Sequence, residues 1–295
     1  MPIAANLYYF SHDTEDDLET KRPPIILIHG AGGNLLSWPP QVRRMVDERV
    51  YSLDLPGHGK SEGTGRQSID EYVEDVLAFM QALKLRTAIF AGVSMGAAVA
   101  LALTLKHPRK VRGLCLLGSG SKMRVAPLIL ETAGNPNTFE SAVDLINENC
   151  FSSEAPQHLK DISKRHLLDV RPPVLLGDFL ACHEFDVTSQ LKKIRTPTLL
   201  ICGAADKMTP VRYSELMQET MPNAKLHIVE NAGHLVMSEQ PDVVADLMKQ
   251  FVDSIPVRTR KTKKDRVELN VESDPAQETE SALQADSVPS TEPNS

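Results

Sequence analysis

The chain has 295 residues, with hydrophobic residues at 41% and charged residues at 24%. That balance is ordinary for a globular chain and leaves room for one large α/β domain or two small ones. A net charge of −7 offers no basic field for nucleic acid. No apolar run reaches the roughly 18 residues of a membrane span, and the opening MPIAANLYYF lacks the basic and long apolar regions of a signal peptide.

In chain order, residues 7–10 read as an antiparallel strand at a sheet edge. Residues 25–29 and 50–55 follow as short apolar, β-rich runs. Ile69, Tyr72, Val73, Val76, Leu77 and Met80 recur at helical spacing, and Ser68 with Glu71 ahead of them forms a capping box. Residues 87–93 predict a strand and residues 95–107 an Ala-rich helix. Strands at 111–118, 198–202 and 225–229 complete the set. Val244, Leu247, Met248 and Phe251 mark a last amphipathic helix, with Pro241 in its first turn. Strands alternating with helical patterns imply a mostly parallel sheet with crossover helices.

Residues 121–191 break that alternation. They carry helical stripes, such as Phe139, Ala142, Val143 and Ile146, and no convincing strand, with Pro172-Pro173 separating two helices. So long an all-helical connection is expected to form a cap over one end of the sheet; the alternative is plain crossover packing. One domain is therefore expected over 1–255, with a cap at about 121–191. From Pro256 the composition changes to a basic run at 258–266 and then an acidic Ser/Pro/Glu-rich end without aromatics. Residues 256–295 are expected to form a solvated tail, the alternative being contact with RNA or a membrane surface.

Cys115, Cys150, Cys182 and Cys202 form no C-x-x-C pair. Cys115 and Cys202 fall in apolar runs and read as small buried hydrophobes, and a reduced, cytoplasmic setting is expected. No metal site is implied, because no His/Asp/Glu/Cys cluster has ligand spacing. No G-x-G-x-x-G follows a strand, so no nucleotide cofactor is expected either.

The chemistry centres on Gly92-Val93-Ser94-Met95-Gly96. A serine on a tight turn between strand and helix projects its hydroxyl away from the sheet, which makes Ser94 the candidate nucleophile. A hydroxyl needs a base, and the base needs an orienting carboxylate. His234 follows the 225–229 strand through a short loop ending in Gly233, and loops at strand C-termini carry the working groups of such sheets. Its competing reading is a surface or capping histidine. Asp206 follows the 198–202 strand in the same way; its competing reading is an Asx-turn carboxylate before Thr209-Pro210. For the tetrahedral oxyanion, the Met95 amide is one expected donor. The glycine-rich loop at 29–33 supplies the other, with Ala31 preferred, Gly32 next and Gly30 beside them. His29 is expected to hold this loop rather than act as a base.

HGAGG (29–33), DLPGHGKS (54–61), GVSMG (92–96), GAADKMTP (203–210) and NAGHLVMSEQP (231–241) together resemble the α/β-hydrolase fold superfamily, in its serine esterase/lactonase type. The resemblance runs from about Leu7 to Ile255. It implies a mostly parallel twisted sheet flanked by helices, a helical cap, and a triad in the chain order Ser94, Asp206, His234. It also implies a structural role for the 54–61 segment, so His58 and Ser61 receive no catalytic part. Dehalogenase-like and epoxide hydrolase-like members carry aspartate where this chain has Ser94. The HGAGG loop also departs from the HGGPG and HGGG forms of other branches.

The leading expectation is a carboxylic-ester (or lactone or thioester) hydrolase working through an acyl-enzyme on a small, largely apolar substrate. Val125, Leu128, Leu175, Phe179 and Phe185 are its possible pocket lining. A second reading is a C–C bond hydrolase or a lyase using the same triad, with Lys122, Arg124 or Arg171 holding substrate carboxylates. A third is a non-enzymatic small-molecule receptor of this fold. Oligomeric state is left open.

Overall fold

The computed structural model describes residues 2–13 and 22–256. The expected tail, with its basic run at 258–266, lies outside the described residues except for Pro256. Eight strands form one sheet: β1 (Ile3–Ala4), β2 (Leu7–His12), β3 (Ile25–Ile28), β4 (Val50–Leu53), β5 (Ala88–Val93), β6 (Val111–Leu117), β7 (Thr198–Gly203) and β8 (Ala224–Val229). Their order is β1-β2-β4-β3-β5-β6-β7-β8. β2 runs antiparallel to β4 and to β1, and every other pairing is parallel. The strand expected at the edge is antiparallel, yet the edge itself is the two-residue β1. A turn with Ala5 and Asn6 both at positive φ (49° and 65°) folds β1 back onto β2.

The central strands are unbroken apolar runs because both of their faces are covered. Within β3, Ile26 and Ile28 pack with Tyr72, Val73, Val76 and Phe79 of α2 (Ile69–Ala82) and with α3 (Met95–Lys106), on one side. Ile25 and Leu27 point the other way, toward Val42 of α1 (Pro40–Arg43) and Val244, Met248 and Val252 of the final helix, Pro241–Ser254. Each such buried Ile or Leu contributes about 1.5–3 kcal/mol, so the two-period alternation fixes strand register. At the start of α2 the Ser68 hydroxyl accepts from the Glu71 amide at 3.3 Å. The Glu71 carboxylate reaches back to accept from the Gln67 amide at 3.3 Å and from the Ser68 hydroxyl at 2.8 Å, a shifted form of the expected box.

Between β6 and β7 the chain forms four α-helices, α4 (Pro127–Thr132), α5 (Phe139–Cys150), α6 (Gln157–Leu168) and α7 (Pro172–Glu184), and then a 3-10 helix, Thr188–Lys193. The stripe Phe139, Ala142, Val143 and Ile146 packs with Leu167, Leu175 and Phe179 in a separate apolar cluster. A shorter crossover, α8 (Val211–Thr220), precedes β8; α9 (Val236–Glu239) and α10 (Pro241–Ser254) close the described chain. No described helix is long and apolar enough to cross a membrane. All four cysteines are buried and unpaired.

Candidate active site

The candidate residues sit where β3, β5, β7 and β8 end, at one rim of the sheet. Ser94 joins β5 to α3 with φ 53° and ψ −116°, a conformation that L-residues rarely adopt and that costs on the order of 1–3 kcal/mol. The turn closes because Gly92 and Gly96 lack side chains. A Cβ on Gly92 would collide with the Gly96 backbone, and one on Gly96 with the Ile28 and His29 carbonyls. The Ser94 amide is held by the Leu117 carbonyl at 2.9 Å, which leaves the side chain at the cleft.

His234 and Asp206 meet although 28 residues apart: His234 Nδ1 lies 3.0 and 3.1 Å from the two carboxylate oxygens. An ionised carboxylate only accepts, so Nδ1 carries the proton and Nε2 keeps its lone pair. Asp206 also accepts from the Met208 amide at 2.9 Å, the Thr209 amide at 2.8 Å and the Thr209 hydroxyl at 2.8 Å. Burial opposes its charge, but His234 and these donors outweigh burial and hold its pKa below the ordinary carboxylate value. The Thr209 hydroxyl lies 3.2 Å from His234 Nδ1 as well. Sequence reasoning missed this role. The signal available for it was a threonine three residues after a loop aspartate, the spacing of an Asx-type turn.

The 29–33 loop is tightly wired. The Leu55 amide donates to His29 Nε2 at 3.1 Å, so the proton sits on Nδ1 and is donated to the Gly30 carbonyl at 2.8 Å. Burial, and after it the nearby His58, push the His29 pKa down to about 3. His29 is therefore a neutral brace for the loop. The Gly33 amide bonds to the Gly30 carbonyl at 3.0 Å. The Gly32 amide is already committed, to Asp178 Oδ2 at 2.8 Å, which removes Gly32 from the candidate oxyanion donors. Among the described residues, the Ala31 and Met95 amides donate to no other group. The 54–61 segment braces too: Asp54 accepts from the Leu35 and Lys60 amides at 2.7 and 2.9 Å, and the Ser61 hydroxyl donates to the Asp54 carbonyl at 2.6 Å.

Ser94, His234, Gly30, Ala31 and Gly32 line one cleft, with Ile146, Leu159, Ile162, Leu167 and Phe179 of the helical insertion opposite. Of the five residues expected to line it, only Phe179 does. Leu175 is core of the insertion, Phe185 is buried against the sheet-side core, Val125 is half-buried between the two clusters, and Leu128 is exposed. No Lys or Arg among the described residues lines this cleft. Lys122 is paired with Asp186, and Arg171 donates to the Gly63 carbonyl.

Residues 25–247 match the model of a family described as the alpha/beta hydrolase family. The chain belongs to that family. Among curated relatives, this α/β hydrolase is 27% identical over 239 residues to 3-oxoadipate enol-lactonase 1 of Acinetobacter baylyi, covering 79% of this chain and 90% of that protein. It is 28% identical over 247 residues to 2-hydroxymuconate semialdehyde hydrolase of Pseudomonas putida, covering 78% and 86%. A solved thermophilic esterase shares 29% identity and a TM-score of 0.72, over 85% of this chain and all (100%) of that one.

Proposed function

We propose that this α/β hydrolase cleaves neutral, largely apolar carboxylic esters through an acyl-enzyme, with Ser94, His234 and Asp206 as its triad and the helical insertion as its cap. The observation that carries this reading is one cleft holding Ser94 and a histidine with a free Nε2, walled mainly by aliphatic and aromatic side chains, with His166, Ser163 and Ser238 as polar lining and no Lys or Arg among the described residues. A substrate carboxylate would enter such a cleft at a desolvation cost with no lysine or arginine in the lining to pair with it. This favours ester hydrolysis over C–C cleavage of a charged substrate; one relative is named as a 2-hydroxymuconate semialdehyde hydrolase.

The Ser94 hydroxyl attacks the acyl carbon while His234 Nε2 takes its proton, and Asp206 stabilises the imidazolium. The oxyanion accepts from the Ala31 and Met95 amides. Collapse breaks the C–O bond, and His234 returns the proton to the departing alcohol. A water then attacks the acyl-enzyme, giving one proton to His234; the bond from the acyl carbon to Ser94 Oγ breaks as His234 passes that proton to Oγ, and the acid leaves. A lactone follows the same steps with its alcohol still tethered.

An acyl-length series of p-nitrophenyl esters tests the reading. Ser94→Ala is expected to lose about 10⁶-fold in kcat and all labelling by a fluorophosphonate. Equal labelling of wild type and Ser94→Ala, or faster turnover of vinylogous diketo-acids than of neutral esters, would overturn it.

A further inference from the structure

One buried carboxylate lies outside the mechanism above. Asp178 sits on α7 of the helical insertion, among apolar neighbours on its own helix, at 0% exposure. Its Oδ2 accepts from the Gly32 amide and from His58 Nε2, each at 2.8 Å, and its Oδ1 accepts from the Tyr72 hydroxyl. Four segments therefore meet at one side chain: the loop after β3, the loop after β4, α2 and α7.

Proton placement in this cluster is determined by its geometry. His58 Nδ1 faces the Pro56 carbonyl at 3.0 Å, so that nitrogen donates. Nε2 faces a carboxylate oxygen that already accepts from Gly32, so it donates too, and the ring is an imidazolium. The buried charges cancel within the pair, and the Gly32 and Tyr72 donors add a hydrogen bond to each carboxylate oxygen.

We propose that Asp178 is a positioning residue for acyl transfer: it fixes the Gly32 amide so that the adjoining Ala31 amide stays aimed at the oxyanion. The proposal rests on the serine mechanism above. Gly30, Gly32 and Gly33 give the loop its close approach to the acyl group but also make it conformationally free. Gly32 itself is at φ 64°. The Gly30 carbonyl, which shares a peptide plane with the Ala31 amide, accepts from the Gly33 amide and from His29 Nδ1, so that plane is held from one side; the following plane, ending in the Gly32 amide, is held by Asp178. Asp178 completes the restraint on the far side of Ala31, and because it rides on α7, the loop has its full set of bonds when the insertion is seated on the sheet.

A donor displaced by about 1 Å costs on the order of 10²-fold in rate. Asp178→Asn is therefore expected to lower kcat by about that factor and to weaken a trifluoromethyl ketone inhibitor in parallel. KM and the affinity for an unreactive ether analogue should stay within about twofold, a split that simple loosening of the fold would not give. Tyr72→Phe keeps the ion pair and removes one donor; a parallel fall of about threefold or more in kcat and ketone affinity is expected. If Asp178→Asn fails to fold, Tyr72→Phe decides. Wild-type kcat and ketone affinity in a folded Asp178→Asn, or in Tyr72→Phe where only that variant folds, overturns the proposal. Ser94→Ala is run alongside: if it retains activity the serine mechanism itself fails, and if it is dead while Asp178→Asn is unimpaired only the positioning role fails.

Discussion

Replacing Asp206 by Asn isolates the orienting carboxylate, because the side chain keeps its shape while one oxygen becomes a donor. The Met208 and Thr209 amides, at 2.9 and 2.8 Å from Oδ1, require an acceptor, so the amide oxygen of the variant stays with them. The NH2 group then takes the place of Oδ2, 3.0 Å from His234 Nδ1. It can only donate there, so Nδ1 becomes the acceptor and the ring proton moves to Nε2, the nitrogen proposed to receive the Ser94 proton. A wrong tautomer of this kind costs about 10⁴ in kcat, or about 5.5 kcal/mol of transition-state stabilisation. Stability should fall by only about 1–2 kcal/mol, since both backbone donors remain satisfied. Steady-state release of p-nitrophenolate, read beside thermal unfolding, separates the two effects. A folded Asp206→Asn enzyme retaining more than about a tenth of wild-type kcat would refute the assignment of Asp206 as the partner of His234.

Ser94→Gly should abolish hydrolysis yet raise the melting temperature. Relief of about 1–3 kcal/mol of backbone strain, less about 0.5–1 kcal/mol for the freedom of glycine in the unfolded chain, nets about 1 kcal/mol, or about 2–4 °C by calorimetry. An unchanged or lower melting temperature would mean the turn is unstrained. Burial alone would lower the His58 pKa, but Asp178 outweighs it and holds the pKa above the ordinary 6.5. The stabilisation from that pair is thus complete below 6.5 and is lost as pH rises through the raised value. Denaturant unfolding of wild type should weaken along that alkaline limb, and His58→Gln should flatten it; identical slopes would deny the ion pair. Asp206 works at the other end, contributing above the ordinary 3.8 and losing its contribution as pH falls through its depressed value. Glu239 accepts from the Gly233 amide at 2.7 Å and the Ser152 hydroxyl at 2.6 Å, while the Leu235 amide bonds to the Cys150 carbonyl at 3.1 Å. Both neighbours of His234 are thereby tied down. Glu239→Gln is expected to cost about 1–2 kcal/mol in stability and several-fold in kcat, and unchanged values in both assays would show that this clamp does not seat His234.

The sheet was legible because parallel strands covered on both faces must be short apolar runs, and the strands at 25–28, 50–53 and 111–117 leave no other periodicity to read. Ser94 was legible because its strained turn demands glycine on both sides. Asp206 and His234 each follow a strand end, so their meeting is a consequence of β7 and β8 being neighbours. Asp178 was not legible in this way. Its partners lie 106 to 146 residues away, and a single charge within the stretch VLLGDFLAC reads as an interruption of a buried face. The usable signal was thermodynamic: a carboxylate on a helix apolar all round has to be paired. The cleft lining failed for a related reason. Helical stripes say which residues turn inward within the insertion, but not which inward residues face the core of the insertion and which face Ser94. Leu175 and Phe179 lie on one helix and are both buried, yet only Phe179 reaches the cleft.

That division has a consequence for selectivity. The groups proposed for bond making come from strand ends, where sheet register and local glycines fix them. The apolar wall comes from Ile146, Leu159, Ile162, Leu167 and Phe179, on helices whose packing can change without disturbing the sheet. Substitutions there should redistribute preference among acyl groups at about 1–3 kcal/mol for each methylene gained or lost, leaving the attack on the carbonyl intact. The exception is the insertion residue that reaches through to the oxyanion loop. Because Asp178 holds Gly32, α7 cannot be remodelled freely, and variation in acyl selectivity should concentrate in α5 and α6, whose cleft residues touch the substrate space without holding a donor.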